Sequence, residues 1–124
     1  MFKDTPAFSG FSTNDIDAAR AFYRDTLGVE VDEQMGMLNL KLGSGQRVIV
    51  YPKDDHQAAT YTCLNFEVAD IDRAVDDLAG KGVTFERYEG QEQDERGVMR
   101  QYGPPIAWFK DPAGNILSLI QTGD

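Results

Sequence analysis

Histidine, cysteine and tryptophan each occur once in 124 residues, at His56, Cys63 and Trp108. One cysteine excludes an intramolecular disulfide, and a cytoplasmic home is the expectation. One histidine excludes a two-histidine, one-carboxylate iron site built from a single chain, and the histidine-rich zinc sites with it. Long apolar runs are missing: nothing approaches the roughly 18 consecutive apolar residues of a membrane-crossing helix, so no membrane partner is expected. The opening MFKDTPAFSG lacks the basic-then-apolar order of a secretion signal. Basic residues are scarce, with 12 Lys and Arg against 21 Asp and Glu, a net charge of -9. Nucleic acid is therefore not an expected partner, because phosphate contacts need clustered cations. A cationic ligand would be attracted, although acids that merely keep a protein in solution leave the same trace.

What is present, 41% hydrophobic and 27% charged residues, is the composition of one globular domain. PAFSGFST (6–13) suits a short strand. In NDIDAARAFYRDTLG, Asn14 or Asp15 can cap a helix, Ile16, Ala19, Phe22, Tyr23 and Leu27 share its apolar face, and Gly28 can end it. VEVDE (29–33), GMLNLKL (36–42) and RVIVYP (47–52) read as strands, with a turn at GSGQ (43–46). The polar KDDHQAAT (53–60) reads as a linker. Beyond it Leu64, Phe66 and Val68 alternate with Cys63, Asn65 and Glu67 along a strand. Asp70 can cap a second helix, with Ile71, Ala74, Val75 and Leu78 inward, and VTFERY (83–88) follows as a strand. Residues 89–105 form a long acidic loop with room for a short strand near Val98–Arg100, a length that often covers a binding site or a partner surface. IAWFKD and NILSLIQ close the chain as a hairpin through DPAGN, in which Asp111 reads as a turn residue, Pro112 presets the turn and Gly114 tolerates positive φ.

The chain repeats itself. FSTNDIDAARAFYRDTLGVEV (11–31) matches FEVADIDRAVDDLAGKGVTF (66–85), with Phe11 against Phe66 and NDID against ADID. Each half is a strand, a helix and about three strands. Neither half has enough apolar surface for a core of its own, so the two should pair.

DIDAARAFYRDTLGVEV, FEVADIDRAVDDLAGKGV and the terminal WFKDPAGNILSLIQ together resemble the vicinal oxygen chelate superfamily, the relatives of glyoxalase I, bleomycin resistance proteins and extradiol dioxygenases. The resemblance spans residues 6 to 121. It implies an α+β fold of two βαβββ modules, about 6–52 and 61–121 on either side of the linker 53–60, in one domain over 1–124. It also implies a curled eight-stranded sheet with helices outside, a ligand on its concave face, and a homodimer.

Metal-using members of that superfamily carry ligands on the first, fourth, fifth and eighth strands. Matched by motif, these positions are Phe8, Val50 (with Ile49 and Tyr51 as its neighbours), Cys63 and Ser118. Phe8 and Val50 have no donor atom, serine is a poor ligand for Zn²⁺, Ni²⁺ or Fe²⁺, and one cysteine is not a site. The cluster Asp54, Asp55 and His56 is too local to converge on an ion. No metal and no other cofactor is therefore expected, and NILSLIQ keeps its motif for the hairpin and the core.

The expected ligand-binding residues are Phe8, Val50, Cys63, Asn65, Glu67, Trp108 and Ser118; no catalytic residue is assigned. Alternation places Cys63, Asn65 and Glu67 on one side of their strand and parts Trp108 from Phe109. Tyr51, Tyr102, Met35 and Met37 add aromatic and flexible surface that suits a pocket, a core or an interface. Cys63 reads as a small buried hydrophobe; as a nucleophile it would need a base, and His56 is the sole histidine. The leading expectation is a metal-free protein that holds a small apolar or cationic molecule, as antibiotic-sequestering relatives do. The alternatives are a lyase, isomerase or dioxygenase-like enzyme of the same superfamily, and a structural or regulatory subunit whose concave face is an interface.

Overall fold

Asp15 and Asp70 start the two helices. The Asp15 carboxylate accepts from the Ala18 N–H at 3.0 Å and opens α1 (Ile16–Ala21). Asp70 accepts from the Arg73 N–H at 3.2 Å and opens α2 (Ile71–Ala79). Each carboxylate satisfies an N–H that the first turn leaves without an intrahelical partner. The computed structural model describes residues 1–43 and 45–122, and the chain divides into two compact units, Met1–Gln57 and Ala58–Asp124, a division that falls within the expected linker.

In the first unit β1 (Ser9–Thr13), β2 (Glu30–Gln34), β3 (Met37–Lys41) and β4 (Arg47–Pro52) form a sheet in the order β1-β4-β3-β2. β1 runs parallel to β4 and the other pairs are antiparallel. Leu38, Leu40, Val48 and Val50 are buried and share the face that α1 covers with Ala19, and Tyr23, just beyond α1, is buried as well. After Ala21 the helix widens into a π turn, Phe22–Thr26, in which the Leu27 N–H donates to the Phe22 carbonyl at 2.9 Å. The widened turn sets Phe22 edge-on to the wholly buried Tyr23, ring centres 5.3 Å apart. Between β2 and β3, Met35 and Gly36 both take positive φ, 55° and 77°, as a two-residue hairpin turn requires. The expected turn at 43–46 includes Ser44, which lies outside the described residues; Leu42 and Gln46 on either side of it are joined by a backbone hydrogen bond of 3.0 Å.

The second unit repeats the plan with one strand fewer. β5 (Thr62–Val68) is parallel to β7 (Ile116–Gln121), which is antiparallel to β6 (Ile106–Lys110), in the order β5-β7-β6. α2 lays Ile71 and Val75 over the face that carries Leu117, Leu119, Ala107 and Phe109, all buried. The Ile71 N–H donates to Gln121 Oε1 at 3.0 Å and ties the start of α2 to the end of β7.

The expectation of an eight-stranded curled sheet is corrected, among the described residues, to two sheets of four and three strands. The strand expected at 83–88 contracts to a single bridge, Phe85 to Phe109, and the one expected near Val98 to bridges of Met99 with Ile106 and Gln93. The physical reason lies in Gln93. Its amide donates to the Glu86 and Gly97 carbonyls, at 2.9 and 2.7 Å, and accepts from the Tyr88 N–H at 2.9 Å. A side chain thus takes the backbone groups that a longer ladder would have used. Gly97 fits the crowding: its φ is +89°, and a Cβ there would sit 3.2 Å from the Phe85 Cβ.

Candidate functional site

Because side chains alternate, each sheet has a second face turned away from its helix. In the second unit that face carries Asn65, Ser118 and Trp108 in one row, since Asn65 pairs with Ser118 and Ser118 with Trp108 across the three strands. Glu67, Ile120 and Ile106 form the next row. The Ser118 hydroxyl is wholly buried and donates to Asn65 Oδ1 at 2.5 Å. Trp108 is half-buried and meets Tyr88 edge-on, ring centres 5.4 Å apart. The Tyr88 hydroxyl is buried without a hydrogen-bond partner. Burial, then the charge of Glu86, push its pKa up and keep the proton on the oxygen.

Cys63 sits at a break in register between Thr62 and Leu64 on the same strand. Burial raises its pKa and Asp111 adds to the rise, relieved in part by the Ile116 N–H. The thiol is therefore held protonated, the opposite of an activated nucleophile. Asp111 itself is a turn residue: its Oδ1 accepts from the Ala113 and Asn115 N–H groups at 3.0 and 2.9 Å, and its Oδ2 from the Asn115 amide at 3.0 Å.

In the first unit the face turned away from α1 carries Gly10 and Ser12 of β1, Ile49 and Tyr51 of β4, and Met37, Asn39 and Lys41 of β3. Ser12 Oγ lies 2.6 Å from His56 Nδ1, a pair that joins β1 to the segment expected as linker. Phe8 precedes β1, is 55% exposed, and lies beneath the Arg47 guanidinium at 4.5 Å, a cation–π contact. Val50 is corrected from a ligand-facing residue to a core residue, fully buried on the α1 side, because the residues of β4 that point the other way are Ile49 and Tyr51. Ser118 is corrected in a different sense. At 0% exposure it supports Asn65 from beneath and is not itself a contact surface. Met35 (93% exposed, at a turn) and Tyr102 (70% exposed, in the loop) line neither face.

The four positions matched to metal ligands do not fit a metal. Phe8 has a cation over its ring, Val50 has no donor and is buried, the Ser118 hydroxyl is committed to Asn65, and Cys63 alone is one ligand rather than a site. Among the described residues no three or more His, Cys, Asp and Glu side chains gather as an ion requires. Among them also, no helix is long and apolar enough to cross a membrane.

The acidic loop 89–105 is pinned to α2. Arg96 pairs with Asp76 at 2.9 Å, and Arg100 with Asp72 at 2.5 Å and with Asp94 at 3.1 Å. Reading the sequence missed Gln93, Tyr88 and Ser12. For Tyr88 a signal was available, since its strand ends beside the loop and a tyrosine there carries a polar tip. No spacing in the sequence marked the meeting of Ser12 with His56, 44 residues on.

Residues 8–119 match the sequence profile of the Glyoxalase/Bleomycin resistance protein/Dioxygenase superfamily. Among solved structures, a lactoylglutathione lyase from Agrobacterium tumefaciens is similar at 20% identity, covering 96% of this chain and 95% of that one, with a TM-score of 0.71. A genomically encoded fosfomycin resistance protein from Listeria monocytogenes is similar at 13% identity, with 97% and 94% coverage and a TM-score of 0.73. An antibiotic binding protein from a Streptomyces species is similar at 19% identity, with 97% and 98% coverage and a TM-score of 0.70. At these identities the likeness is one of fold. No curated protein matches the chain.

Proposed function

The chain belongs to the glyoxalase/bleomycin resistance protein/dioxygenase superfamily, and from that premise we propose that it binds a small molecule without a metal ion. The observation that carries this reading is the hydrogen bond between Ser118 and Asn65. It stands at the strand position where metal-using members would place a glutamate, and it uses the hydroxyl internally. The ligand rests on the Trp108 row of the second unit, an apolar ring flanked by a few fixed polar groups, which is the usual make-up of a small-molecule site. Glu67, exposed one row along, provides for a cationic substituent. A homodimer is part of the proposal and is checked by sedimentation at micromolar concentration.

The test is elemental analysis of protein purified without a histidine tag or added metal. Less than about a tenth of an equivalent of any transition metal is expected, because the donors for a site are missing. Close to one equivalent of a single metal, removable with loss of a turnover, would replace this reading with an enzyme: a lyase, isomerase or dioxygenase-like member of the superfamily. One observation favours that second reading, the Ser12–His56 pair at 2.6 Å, which is able to pass a proton.

A further inference from the structure

We infer that the Trp108 face selects an aromatic molecule bearing a neutral hydrogen-bond acceptor, such as an aromatic ketone, with Asn65 Nδ2 as the donor and Ser118 as the positioning residue that fixes the amide. This deepens the binding reading above and rests on it.

The argument starts from burial. A wholly buried hydroxyl must place its proton, and that of Ser118 goes to Asn65 Oδ1. Turning the amide over would face that proton with an N–H and leave it without an acceptor, so the orientation is fixed. With the oxygen engaged inside, both amide N–H groups of the exposed Asn65 are left for a partner, and no residue among those described takes them. Tyr88 touches this face through its ring alone, since its hydroxyl is buried, so Asn65 is the neutral donor a ligand can reach. The Trp108 ring lies beside Ser118 in the ladder and is braced by Tyr88. The row therefore presents a flat ring and, at Asn65, two N–H groups of positive polarity. A cation set over Asn65 would meet dipoles of its own sign, so the net charge of -9 misstates the local preference. Glu67 is the place on this face for a positive group, one row away.

Trp108 is the sole tryptophan, so intrinsic emission reports this face. The probes are 9-fluorenone and fluorene, flat molecules that differ by one carbonyl, with the cation 9-aminoacridine as a third. The quantity read is the ratio of fluorenone to fluorene affinity, which cancels their difference in hydrophobicity between variants. In Asn65→Asp the ratio should fall about three- to tenfold, the worth of one or two neutral hydrogen bonds, while 9-aminoacridine binds more tightly. In Ser118→Ala the ratio should fall as well, and Ser118→Thr should restore it. A merely structural serine would weaken both probes equally and leave the ratio alone. Asn65 is exposed, so its variant keeps the test decisive even if Ser118→Ala folds poorly. An unchanged ratio in Asn65→Asp, with both probes still bound, overturns the inference and leaves the binding reading standing. No change in Trp108 emission with any of the three probes overturns the binding reading and the inference with it.

Discussion

At the scale of single residues, alternation was the most dependable guide. It separates Trp108 from Phe109, and the structure buries Phe109 completely under α2 while Trp108 stays half-buried on the other side. Motif matching, by contrast, misplaced Val50, because it fixes a strand to within one residue and a slip of one reverses the face. The role of Ser118 was not legible at all: that its hydroxyl meets Asn65 depends on the parallel register of two strands 53 residues apart. Cys63 gives the residue-scale prediction. Burial and Asp111 raise its pKa, so little thiolate exists at neutral pH. Alkylation by iodoacetamide should run at least about threefold slower than that of glutathione, since the thiolate is the reacting form. A rate equal to glutathione's or faster would restore Cys63 as a candidate nucleophile.

At the scale of elements, caps and the repeat were legible because they rest on local chemistry. Asp15 and Asp70 cap as their positions suggest, and each unit begins strand, helix and ends with a strand parallel to the first. The π turn and the shortened strand at 83–88 were not legible, since both depend on contacts made elsewhere in the chain. Gln93 holds the second of these together. Gln93→Ala removes three hydrogen bonds and should cost about 1–3 kcal/mol, measured by urea denaturation, since part of the loss is recovered from water. A change within error of zero would mean that the bridges hold Tyr88 and Gly97 without it. Asp94 gives this loop a pH dependence. Burial alone would raise its pKa, but the Val98 N–H, Arg100 and the Arg96 N–H together hold it below the usual range. A carboxylate with a depressed folded pKa stabilises above its unfolded value, about 3.9, and loses that contribution as pH falls through the folded one. The stability gap between wild type and Asp94→Asn should therefore shrink as the pH is lowered from about 4. A gap constant with pH would contradict the assignment.

At the scale of the whole molecule, the family was legible from three segments, because the DPAGN turn and the two Asp-capped helices solve backbone problems that any member of the fold must solve. The chemistry of the Trp108 face was not legible, because it depends on which side chains face each other across strands. Net charge pointed to a cation, whereas the row around Trp108 presents donors. The most direct test of metal-independent binding is a titration of Trp108 emission with whichever of fluorenone, fluorene and 9-aminoacridine binds most tightly. It is performed before and after exhaustive dialysis against a chelator. Binding of unchanged affinity after dialysis is the predicted result. Binding that disappears on chelation and returns with one added divalent metal would contradict the account.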